Sequence, residues 1–131
     1  MGVLNNLVPE KVFYYFEELC NIPHGSKNTK AISDYCVNFA KERGLAYHQD
    51  ASNNIIILKN GSKGYEDSKP VIIQGHLDMV CEKEKYCTID FEKDGLDLAI
   101  DGDYIYAKGT TLGGDDGIAV AMALAILDDD T

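Results

Sequence analysis

The chain has 131 residues, 45% of them hydrophobic and 12 of them glycine, which is enough for a moderate core in one domain at most. A formal charge of −10 and an isoelectric point of about 4.5 argue against a nucleic-acid partner, because phosphate binding calls for a basic face. No apolar run approaches the length of a membrane span, and Met1–Val8 lacks the charged start and apolar centre of a secretion signal, so the expected location is the cytoplasm.

Pro9–Cys20 carries Val12, Phe13, Phe16 and Leu19 on one stripe, with Pro9 in the first turn where a missing N–H costs nothing. This spacing predicts an amphipathic helix that stops at Asn21-Ile22-Pro23. His24-Gly25-Ser26 then falls in a loop, and His24 reads as a hydrogen-bonded turn residue, with ligand or base as the alternative. Thr29–Arg43 places Ile32, Tyr35, Cys36, Phe39 and Ala40 at helical spacing and closes on Gly44.

After Gly44 the period changes. Leu45–Gln49 and Asn54–Lys59 read as strands joined by the polar turn Asp50–Asn53. His48 is a plain strand residue, and the run Ile55-Ile56-Ile57 implies burial on both faces. Asn60–Lys69 is a polar loop. Val71–Val80 (VIIQGHLDMV) reads as a buried strand that delivers His76 and Asp78 at its C-terminal end, where open α/β sheets keep their sites. Glu82–Asp94 is charged and irregular, and is expected to pass over the mouth of that site. Leu96–Ile100 and Tyr104–Ala107 form a hairpin on an Asp-Gly turn. Lys108–Gly117 (KGTTLGGDDG) is a tight loop feeding an apolar helix over Ile118–Leu127. The cysteines at 20, 36, 81 and 87 show no C-x-x-C spacing and are expected to stay reduced, with Cys81 read as a small apolar filler.

His76 with Asp78 has two readings: a metal ligand with a carboxylate that fixes its tautomer, or a structural hydrogen-bonded pair. Asp115-Asp116 likewise reads either as an N-cap with a dipole-stabilised neighbour or as carboxylates offered to a cation. A phosphate site at the same glycines is disfavoured, since Lys108 stands alone against two aspartates.

Taken together, VIIQGHLDMV and KGTTLGGDDGIAVAMALAIL resemble the aminoacyl-histidine dipeptidases, a family of co-catalytic zinc exopeptidases. The likeness runs from the helix near Pro9 through Asn21-Ile22-Pro23-His24 to Leu127. It implies that His76 binds one metal, that Asp78 orients His76 and polarises the general base, and that Asp115 bridges two Zn²⁺, with Co²⁺ or Mn²⁺ as substitutes. It also implies a cis peptide between Asp115 and Asp116. The chain departs from the family pattern twice: Asp116 stands where an asparagine is usual, and Cys81 where a proline often follows.

The implied fold is α/β, a zinc-peptidase-like mixed sheet flanked by helices, with residues 1–131 forming the N-terminal part of a catalytic domain and no lid or dimerisation domain. The implied reaction is hydrolysis of dipeptides, Xaa-His among them, by water activated between two metals. The family's general-base glutamate and its remaining ligands fall after the last helix, so the chain is expected to be inactive alone. The alternative is a non-catalytic metal-binding or interaction module of the same fold. Because Gly117–Leu127 is apolar on every side, a partial domain is expected to bare an apolar patch and to associate with itself.

Overall fold

The computed structural model describes residues 2–130; Met1, the head of the stretch scanned for a secretion signal, lies outside them. Helix α1 spans Glu10–Cys20 and begins directly after Pro9, whose ψ of 129° is extended. Helix α2 spans Lys30–Glu42 and is followed at Gly44 by a φ of +67°, a left-handed backbone that a side chain would strain. Both boundaries lie within a residue of those expected, because proline and glycine enforce them.

Strands β1 (Ala46–Gln49) and β2 (Ile55–Leu58) pair antiparallel with Ala46 opposite Leu58 and Gln49 opposite Ile55. Their turn is folded by Asp50, whose Oδ1 accepts from the backbone N–H of Ser52 and of Asn54 at 2.9 and 3.0 Å. Strands β3 (Leu98–Asp101) and β4 (Tyr104–Ala107) form the second hairpin, with Gly102 at a φ of +59° in its turn. Helix α3 spans Gly114–Leu127, but Asp115 and Asp116 have non-helical φ/ψ, so the regular helix starts after them.

The core lies where α1 packs along α3. Tyr15, Phe16, Leu19 and Cys20 of α1 meet Ala121 and Leu124 of α3, with Leu4, Met79 and Leu98 closing the ends. At the far end of α3 a polar knot ties all three helices together. Asp128 accepts from Tyr15 Oη and from Arg43 Nε, both at 2.7 Å, while Arg43 Nη2 donates to Tyr15 Oη at 2.8 Å. The Arg43 guanidinium also lies 3.8 Å above the Phe39 ring.

The architecture is mixed α/β, as expected, with the strands paired as two small antiparallel sheets rather than one. Three local expectations are corrected. Over 71–78 no ladder forms; the single bridge joins Gly25 to Met79, and Val71 and Ile72 stand 84% and 90% exposed. A β-branched run becomes a buried strand only between two others, and here each hairpin pairs only with itself. For the same reason β2 is not covered on both faces: Ile55 and Ile57 turn inward, and Ile56 and Leu58 outward. The third concerns 82–94, which does not roof the site. Glu84 N–H donates to Gly109 O and Thr111 N–H to Glu82 O, while Ile89 and Phe91 pack against the core.

Candidate metal centre

Two loops bring the acidic and imidazole groups together. The first runs from Gly75 to Met79, and the second is the non-helical start of α3. Gly113 makes the second turn possible with a φ of +73°, and the peptide between Asp115 and Asp116 is cis. Gly75 allows close approach: a Cβ there would lie 2.8 Å from Asp116 Oδ2.

His76 sits between two carboxylates. Its Nε2 is 3.1 Å from Asp115 Oδ1. Its Nδ1 is 2.9 Å from the backbone oxygen of Asp78 and 3.2 Å from Asp78 Oδ1. Both ring nitrogens face acceptors, so the protonated ring donates to Asp78 through Nδ1 and to Asp115 through Nε2. A cation taking the Nε2 lone pair would leave Nδ1–H on Asp78, the tautomer a metal requires. The hydrogen bond to Asp115 is the main reason the His76 pKa is raised, with Asp78 adding to it. Asp78 is held below the usual carboxylate range, first by the Ser26 hydroxyl at 2.5 Å from its Oδ2 and then by His76.

The donor set fits a divalent cation in kind. His76, Asp115 and Asp116 each offer one atom, all within 4.8 Å of one another, and one imidazole with two carboxylates suits Zn²⁺ or a harder ion. A closed zinc site takes four protein ligands, one more than this cluster supplies, whereas a catalytic one takes three and leaves the fourth place to water. An open cleft of about 910 Å³ leads to it between β2, residues 73–78 and α3. Its walls are apolar at Ile57, Ile73, Val120 and Leu124 and polar at His76 and Asp116.

Of the expected site residues, His76, Asp78 and Asp115 therefore meet at one end of α3. One participant escaped the sequence reading, and another was offered to a cation only as half of the Asp115-Asp116 pair. That second residue, Asp116, turns its Oδ2 to within 3.4 Å of the His76 backbone nitrogen. Ser26 reaches Asp78 across 52 positions of sequence, a distance no spacing rule spans. His24 is a buried turn residue, as expected. Its Nδ1 lies 2.6 Å from Ile22 O, and burial lowers its pKa. His48 is an exposed residue of β1 opposite Ile56. Cys81 packs beside Gly25 with its thiol pKa raised by burial, in keeping with a filler.

No family model matches the chain. The cytosol non-specific dipeptidase of Escherichia coli (strain K12) is 42% identical over 130 residues, covering 99% of this chain and 27% of that protein. The crystal structure of aminoacylhistidine dipeptidase from Vibrio alginolyticus matches with a TM-score of 0.94 and 38% identity, covering 98% of this chain and 26% of that one. The chain is related in sequence and fold to the aminoacyl-histidine dipeptidases, of whose length it spans about a quarter.

Proposed function

We propose that the chain supplies one part of the active site of a cytoplasmic metallodipeptidase. His76 and Asp115 serve as metal ligands, with Asp115 bridging two ions, while Asp116 lies close enough to join them. Asp78 holds the His76 ring. The observation that carries this reading is the 3.1 Å approach of His76 Nε2 to Asp115 Oδ1, with Asp78 behind the ring. The names of both relatives support dipeptides as the substrate class. The word cytosol in the name of the Escherichia coli relative supports the location.

Zinc held by these residues would act as a Lewis acid on a scissile carbonyl and activate water at neutral pH. The chain's own contribution is orientation. Asp78 fixes the ring so that Nε2 keeps its lone pair toward the cleft, and Asp115 adds negative charge on the same side.

A second reading, a metal-binding or interaction module without catalysis, draws on the donor set itself. Among the described residues it contains no glutamate to act as base. Zinc titration and an Xaa-His dipeptide assay of the purified chain, alone and joined to the downstream segment of a relative, separate the possibilities. The partial-site reading expects zinc binding that depends on His76 without turnover in the chain alone, and turnover in the joined protein; the module reading expects turnover in neither. Hydrolysis by the chain alone, abolished by His76→Ala, would show the site to be complete, and zinc binding untouched by His76→Ala would remove both readings.

A further inference from the structure

The loop at 24–26 is fastened to the far side of the site by its backbone. Ser26 N–H donates to Met79 O at 3.1 Å, and Met79 N–H donates to His24 O at 3.0 Å. Between them Gly25 lies flush, for a Cβ on it would come within 2.7 Å of Cys81 Sγ. This clamp aims the Ser26 side chain at Asp78. Its Oγ is 2.5 Å from Asp78 Oδ2, whereas the next acceptor, Met79 O, is 3.5 Å away.

We infer that Ser26 is a positioning residue for the Asp78 carboxylate and, through it, for the His76 ring; the inference rests on the metal-site reading above. A carboxylate held at one oxygen still turns about its Cβ–Cγ bond. Here Oδ2 is taken by the hydroxyl and Oδ1 lies 3.2 Å from His76 Nδ1, so the plane of the group is fixed from both sides. A hydroxyl suits this task better than a lysine would. It donates a proton to one oxygen without cancelling the negative charge that the imidazole N–H requires. Partners of this kind, one step removed from the metal, are where ligand basicity and ring orientation are set.

The test uses the full chain and two readouts: the tautomer of neutral His76 from ¹⁵N shifts, and Zn²⁺ affinity by competition titration. In Ser26→Ala the Nδ1–H population is expected to fall and zinc affinity to drop about tenfold, the lower end of the range for outer partners of metal ligands. Ser26→Thr, which keeps the hydroxyl, is expected to restore both. In an Asp78→Asn background the same Ser26→Ala change is expected to alter neither, because the route through the carboxylate is already cut. Ser26→Ala matching the parent in both readouts would overturn the inference, as would an equal loss in the Asp78→Asn background. If His76→Ala binds zinc as tightly as the parent, the metal reading fails instead. The tautomer alone then decides the role of Ser26, and an unchanged tautomer in Ser26→Ala rejects it.

Discussion

The two ends of α3 carry the same chemistry put to opposite uses. At the C-terminal end Asp128 has both carboxylate oxygens engaged, one by Tyr15 Oη and one by Arg43 Nε, and Lys11 Nζ donates to its backbone oxygen. Asp128 and Arg43 side chains are only 26% and 27% exposed. At the N-terminal end the Asp115 side chain is 95% exposed, and its partner, His76, offers the ring nitrogen a metal would take. A carboxylate saturated by fixed donors and half-shielded from water is part of the scaffold. One left open beside an imidazole is free to take a ligand, and it contributes little to folding because water already solvates it.

This contrast breaks most visibly when the two aspartates are exchanged in experiment. Asp115→Ala and His76→Ala are each expected to weaken zinc binding by more than about 100-fold, beyond the range seen for outer partners, while stability stays within about 0.5 kcal/mol of the parent. Titration calorimetry paired with urea unfolding reads both quantities. A large loss of stability in Asp115→Ala would mean that the open end is structural after all.

Asp128→Ala should do the reverse. It strands a guanidinium and a phenol that are partly withdrawn from water, and a loss of about 2 kcal/mol is expected, smaller than for a fully buried pair. Zinc affinity should not change. Urea midpoints for Asp128→Ala and Arg43→Ala, singly and together, sharpen the point: a strongly non-additive double mutant is the signature of one network.

How far the sequence carried the structure follows the same division. Helix ends were legible to within a residue, because Pro9 and Gly44 act locally. The meeting of His76 with Asp115 was legible only through two motifs more than thirty residues apart, seen together as a resemblance. Asp116 was legible only as one of two carboxylates a cation could use; its place at the cleft depends on Gly75 lacking a Cβ, a close approach that one-dimensional spacing does not show. The Asp128 knot was missed for a related reason. Tyr15, Arg43 and Asp128 lie on three different elements, and none stands in a pattern. The strand expected over Val71–Val80 erred in the opposite direction, since local propensity was correct in kind but had no neighbour to pair with.

That unpaired run leads to the third test. Val71 and Ile72 are exposed, as are Ile56 on β2 and Met122 and Ile126 on α3. Bare apolar surface beside an unladdered extended segment favours association with a second copy, against a charge of −10 that salt screens. Sedimentation is expected to show a concentration-dependent dimer or larger species. Ile72→Lys should weaken it about tenfold, the equivalent of about 1.4 kcal/mol and the low end for burying one large aliphatic side chain. A monomer at every concentration would show that the exposed run is tolerated in water.

The smallest effect is in acid, and it reports on the closed end alone. Hydrogen bonds from Arg43 and Tyr15 depress the Asp128 pKa from 3.8 to about 2. A group whose folded pKa lies below its unfolded value binds fewer protons when folded, so it stabilises the fold above the unfolded pKa. That contribution is lost as pH falls through the window from about 4 to about 2. Discounted for the solvent that still reaches the pair, the depression corresponds to about 1 kcal/mol. Urea unfolding of the parent and of Asp128→Asn between pH 5 and pH 2 isolates it: the gap between the two is expected to narrow by about that amount, because asparagine has no proton to gain. A gap that stays constant from pH 5 to pH 2 would mean that Arg43 and Tyr15 do not hold this carboxylate, and the division between the two ends of α3 would not stand.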